Sequence, residues 1–174
     1  MSKKIILFLI LTIFSIVVMR VFDAPLKNEI ASNGIVSFEL AKDLETSIAI
    51  LKSWDDKALL YAGLSLGFDY LFMFSYTYLL ILLLKKLSIR TGNKIVKLLG
   101  TVLVVLMIVA GFSDAIENYA MIKLYLGNLE PKYSLIAYYF AMVKFTIIAI
   151  SIVFLLFIGV WNIGKRDKTS QKYY

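Results

Sequence analysis

Four long apolar runs separated by short polar segments organise the chain. They predict helices over Ile5–Phe22, Ala58–Leu84, Ile95–Leu126 and Tyr133–Ile163, each within or above the range of about 17–25 residues that crosses a bilayer. The pattern changes after the first run. Pro25 ends the helix and Asn33-Gly34 marks a turn. From Ile35 to Trp54, Phe38, Leu40, Ala41, Leu44, Ile48 and Leu51 fall on one side, with Glu39, Lys42, Asp43, Glu45 and Lys52 opposite. This predicts one amphipathic helix over 35–54, lying on the membrane surface or capping the bundle, with Trp54 at its end.

Composition agrees with a membrane protein. The 174 residues are 60% hydrophobic and the mean hydropathy is +0.81, outside the roughly 45–50% apolar content of soluble domains. Four spans and one modest loop use the whole length, so the expected architecture is a single all-α, four-helix transmembrane domain over 1–174. The net charge of +7 does not imply nucleic acid, because the basic residues cluster beside the apolar runs. Lys3-Lys4 precede the first span, Lys85, Lys86, Arg90, Lys94 and Lys97 join the second to the third, and Lys165, Arg166 and Lys168 follow the fourth. Asp23 to Lys57 holds seven acids and four lysines. The positive-inside rule then places both termini in the cytoplasm and the 35–54 helix outside, in a bacterial inner membrane. The first run is read as an uncleaved helix, since no Ala-x-Ala site follows it and Arg20 and Asp23 interrupt its end.

Polar residues at helical spacing mark the inward faces. Span one carries Thr12, Ser15, Met19 and Asp23; span two Ser65, Asp69, Phe72, Met73 and Tyr76. Span three carries Gly111, Asp114, Asn118 and Met121 bordered by Glu117, and span four Tyr133, Ala137, Ala141, Lys144 and Ser151. An ionised side chain at mid-bilayer costs upward of about 2.5 kcal/mol, so such residues face a bundle interior, a partner or water. Asp69 and Lys144 each lie about 16 Å from the outer end of their span, which predicts a pair between them. A second pair, Arg20 with Glu117, and a hydrogen bond from Asp114 to Asn118 or a tyrosine would make these residues purely structural. Taken as a core set, Asp69, Asp114 and Glu117 outnumber Arg20 and Lys144 by one negative charge. Aromatic residues grouped toward the outer half, among them Tyr61, Phe68, Tyr70, Phe72, Tyr119, Tyr125, Tyr133, Tyr138 and Tyr139, complete the expectation of an acidic, aromatic-lined cavity. Its expected ligand-binding residues are Asp69, Asp114, Glu117, Asn118, Lys144, Arg20 and Tyr76.

The chain has no Cys and no His. Thiolate and imidazole chemistry are therefore excluded, and with them the commonest metal sites and general base. Asp114, Glu117 and Asn118 could offer oxygen ligands to Ca²⁺ or Mg²⁺, but no further acidic motif supports them, and no metal or cofactor is expected. No Gly-x-Ser-x-Gly elbow is present. Gly63 and Gly67 form a Gly-x-x-x-Gly step, a close contact inside the bundle or a homo-oligomer face. The leading expectation is binding of a membrane lipid or amphiphilic small molecule. The alternatives are a proton-coupled transporter or oligomeric pore gated by Asp69 and Lys144, and an interaction protein that uses the 35–54 helix.

Gly34-Ile35-Val36, Phe38-Glu39-Leu40-Ala41, Ile50-Leu51 before Trp54, Asp69-Tyr70 with Phe72, and Asp114-Ala115 with Glu117-Asn118 form a combination that resembles a group of uncharacterised small four-span bacterial membrane proteins. The resemblance covers most of the chain and implies no activity. More remotely, the layout is similar to the emopamil-binding-protein and sigma-2-receptor superfamily, which implies an inward acidic pocket for sterols and amphiphilic amines. Asp23 and Asp69 stand at the corresponding positions. The 35–54 segment departs from that superfamily, and its isomerase chemistry is not carried over.

Overall fold

The computed structural model describes residues 2–170, with side chains described through Trp161. Six α-helices follow one another: α1 (Lys3–Asp23), α2 (Ile35–Glu39), α3 (Leu44–Ser53), α4 (Asp56–Arg90), α5 (Lys94–Tyr125) and α6 (Pro131–Ser170), with a 3-10 turn at Ala24–Leu26. Four of them, α1, α4, α5 and α6, are long and apolar enough to cross a membrane. The tail charges Lys165, Arg166 and Lys168 fall in the last turns of α6, and their side chains lie outside the described residues.

The helix ends follow local chemistry. Asp55 caps α4 by accepting from Ala58 N at 2.7 Å, and Asn93 caps α5 by accepting from Ile95 N and Val96 N. α5 stops at Gly127, whose φ of +87° lets Gly127 N and Asn128 N turn back onto Leu124 O and Lys123 O. Pro131 then opens α6, where its missing N–H is not needed.

The spans pack in sequence: α1 on α4, α4 on α5, and α5 on α6, with a smaller α4–α6 contact. An aromatic ladder holds α1 to α4, with Phe8 against Phe74 and Tyr78, Phe14 against Phe68, and Phe22 against Tyr61 and Phe68. Ala110, Ala137 and Ala141 are fully buried and bring the later helices close together. Of the Gly-x-x-x-Gly pair, only Gly63 is a contact point. A Cβ there would meet the Tyr125 hydroxyl at 2.8 Å, whereas one at Gly67 would meet nothing. By contrast, α1 and α6 scarcely touch among the described residues, which leaves a cleft between them above α4.

Residues 24–54 form a roof over one end of the bundle. Trp54 donates its indole N–H to Leu26 O at 2.8 Å, its ring meets Phe38 edge-on at 5.7 Å, and both pack with Ile50, Ala58, Met121, Leu124 and Ala137. The single 35–54 helix expected from periodicity is two helices, broken at Leu40–Asp43. Asp43 causes the break, since its backbone is extended and its carboxylate caps α3 at Thr46 N. The interruption shifts the helical phase, so α3 buries Ser47 and Ile50 rather than presenting Ile48 to the core.

Candidate functional site

The deepest polar cluster centres on Lys144 of α6, a residue 5% exposed. Asp114 and Glu117 stand one turn apart on α5 and share the face toward α6. The fully buried Ala137 and Ala141 let the two helices approach, and Lys144 Nζ reaches Asp114 Oδ1 and Glu117 Oε1, each at 2.9 Å. The third partner is Glu39 of α2, whose Oε2 lies 3.4 Å from the same nitrogen. The three donors of the ammonium therefore face three carboxylates. The Tyr76 hydroxyl of α4 donates to the other oxygen of Asp114. Asn118 donates to Leu66 O at 2.8 Å, tying α5 to α4.

Three acids around one ammonium leave negative charge uncompensated, and three buried acceptors of the cluster, Glu117 Oε2, Asn118 Oδ1 and Glu39 Oε2, have no hydrogen-bond partner, Glu39 meeting Lys144 as an ion pair only. Glu39 sits outside the spans but is enclosed by them. Burial pushes its carboxyl above the ordinary carboxylate range, against the lowering pull of Lys144.

A cavity of about 690 Å³ opens beside this cluster. Its floor is α4, through Asp69, Phe72, Tyr76, Leu79 and Leu80. One wall is α1, through Thr12, Ile16, Met19, Arg20 and Asp23, and the other is α6, through Lys144, Phe145, Ile148 and Ile152. Lys27, Asn33, Ile35, Val36 and Glu39 close the roofed end, and Asp114 looks in from α5. On all three helices the charged lining lies toward the roof, and the apolar lining follows one to three turns deeper. Thr12 to Asp23 spans about 16 Å of helix, roughly half of a 30 Å hydrocarbon core.

The roof is attached at Asp23. Its Oδ1 accepts from Ile35 N at 2.8 Å, capping α2 from a distance in sequence, and its Oδ2 pairs with Lys27 at 3.2 Å. Gly34 makes this possible. Its φ is +59°, and a Cβ there would collide with Asp23 Oδ1.

Of the sequence-predicted set, Asp69, Asp114, Lys144, Arg20 and Tyr76 line this one cavity, whereas Glu117 and Asn118 stand behind it, holding Lys144 and α4. The expected Asp69–Lys144 and Arg20–Glu117 pairs are not formed, because Asp114, Glu117 and Glu39 occupy Lys144 at closer range. Among the described residues Asp69 and Arg20 have neither an ion pair nor a hydrogen bond. The tyrosine that Asp114 was expected to find is Tyr76. The aromatic lining is narrower than expected. It consists of Phe72, Tyr76 and Phe145, while Tyr125 bonds Leu59 O and Tyr139 faces outward.

Glu39 was missed. Its charge assigned it to the solvated side of the amphipathic segment, although it follows Ile35 by four residues and so shares that buried residue's face. Compared with protein-family models, curated proteins and solved structures, the chain matches none.

Proposed function

We propose that this protein binds a lipid-like or amphiphilic small molecule in the cavity between α1, α4 and α6. The observation that carries this reading is the order of the lining along the cavity. Arg20, Asp69, Asp114 and Glu39 lie toward the roof, and Ile16, Leu80, Ile148 and Ile152 lie deeper. A polar head fits the first group and a hydrocarbon chain the second, at a volume within the usual range for small-molecule sites. The cleft between α1 and α6 would give such a molecule access from the membrane.

Conduction is the weaker alternative. Beyond the cluster, Leu84, Leu103, Met107 and Ile147 fill the space between α4, α5 and α6, which supports a closed pocket rather than a path across. The proposed orientation puts the roof outside and the Lys85–Lys97 connection in the cytoplasm.

A chain amphiphile with a photoactivatable diazirine at its tail end tests the reading. Cross-links mapped by mass spectrometry should concentrate on Ile16, Leu80, Ile148 and Ile152. Labelling spread evenly over lipid-facing Leu7, Ile10 and Val153 would count against a binding cavity.

A further inference from the structure

The geometry points to a zwitterionic head on that ligand: an ammonium held by Asp69 and a phosphate or carboxylate held by Arg20, carried on a single hydrocarbon chain. This inference rests on the amphiphile reading and adds the head chemistry. It follows from which charges facing the cavity are already occupied. Lys144 directs its ammonium at Asp114, Glu117 and Glu39, so it is not a free anion site. Tyr76 is committed to Asp114. Asp23 is held by Ile35 N and by Lys27. Two charged groups of opposite sign remain, both lining the cavity and neither hydrogen-bonded nor ion-paired among the described residues: Asp69 and Arg20.

An unpartnered carboxylate on a membrane helix is costly unless something offsets it, while Arg20, exposed in the last turn of α1, has its guanidinium free to turn toward the cavity. Asp69 and Arg20 come from adjacent helices, for Ser65 of α4 lies against Met19 of α1, yet they do not pair with each other. A ligand bearing one charge of each sign would satisfy both at once. Arg is the side chain suited to a planar or tetrahedral oxyanion. Asp69 lies within electrostatic reach of Asp114 and Glu39 as well as Lys144, so acids outnumber the base where the ammonium would sit. One chain fits below, along the apolar lining that from Phe72 to Leu80 of α4 runs about 12 Å.

The test uses the full chain in nanodiscs and four probes with the same twelve-carbon chain. These are lauroyl lysophosphatidylethanolamine, dodecylamine, laurate and monolauroylglycerol, each titrated below its micelle concentration. The zwitterion should bind about tenfold more tightly than dodecylamine or laurate, which each lack one charge, and about a hundredfold more tightly than monolauroylglycerol, which lacks both, with each charge contact counted as one factor of ten. Asp69→Asn should bring it down to the level of laurate, and Arg20→Gln to that of dodecylamine, with Arg20→Lys retaining part of the preference. The ranking in the unmodified protein stands as a test even where a variant does not fold. Equal binding of all four probes, or a preference for dodecylamine, overturns the zwitterion while leaving the amphiphile site. Failure of all four to bind overturns both.

Discussion

Lys144 is the residue on which the polar cluster depends, and its charge balance decides how substitutions differ. Replacing it by methionine leaves Asp114, Glu117 and Glu39 facing one another without a cation. Removing one partner of a buried pair costs about 3–5 kcal/mol, so Lys144→Met should lower the melting temperature sharply. Glu117→Gln reduces an existing excess of negative charge and keeps an acceptor for Lys144. Its thermal loss should be clearly smaller than that of Lys144→Met, and an equal loss would show that charge balance is not what holds the cluster. Gly34 makes a different kind of demand. Alanine there would take up a strained backbone and collide with Asp23, at a cost of about 1–3 kcal/mol. Because the collision breaks the Asp23–Ile35 bond, Asp23→Ala combined with Gly34→Ala should cost less than the sum of the two single changes. A four-way comparison of thermal melts checks this. That Asp114, Lys144 and Tyr76 would converge was legible from helical spacing alone. The choice of partners was not, because depth counted along separate helices gives the level of a side chain but not its direction around the bundle.

At the level of elements, the roof shows where periodicity misleads. Alternation of apolar and polar residues over 35–54 fits one helix, yet Asp43 competes for its own backbone and starts a second helix. The short α2 that remains carries Glu39 inward on the face of Ile35. Its raised carboxyl gives the roof a pH dependence of definite sign. Above the ordinary value of 4.5 an unfolded glutamate releases its proton while the folded one retains it. The folded state therefore binds more protons, and its stability falls as pH rises through the interval up to the raised value. Glu39→Gln has no proton to lose. Melting temperatures of the two proteins followed upward from pH 4.5 should diverge, with the unmodified protein declining relative to Glu39→Gln. Parallel curves would show that Lys144 compensates the burial of Glu39 in full.

The molecule as a whole is asymmetric in its packing, and on the proposed reading this asymmetry decides how a ligand reaches the cavity. The chain order α1, α4, α5, α6 was readable from the apolar runs, since each is bounded by a charge cluster or a turn. Nothing in those runs specified that, among the described spans, α1 would pack chiefly on α4. The aromatic ladder from Phe8 to Phe22 commits α1 to α4, and the buried alanines commit α6 to α5, so the two outer helices are held apart. The roof is tied together by Trp54, Phe38 and Leu26, and on the proposed reading the open side between α1 and α6 is the one that faces lipid. The chain has no cysteine, so a single Ile148→Cys carries one fluorophore into the cavity wall without background labelling. Brominated phospholipid in the surrounding bilayer should quench a bimane at this position efficiently, while iodide added to the water should quench it little. An amphiphile that fills the cavity should protect it from the brominated chains. The reverse pattern, with iodide the stronger quencher, would mean that the cavity communicates with water past the roof and that α1 and α6 close against the membrane.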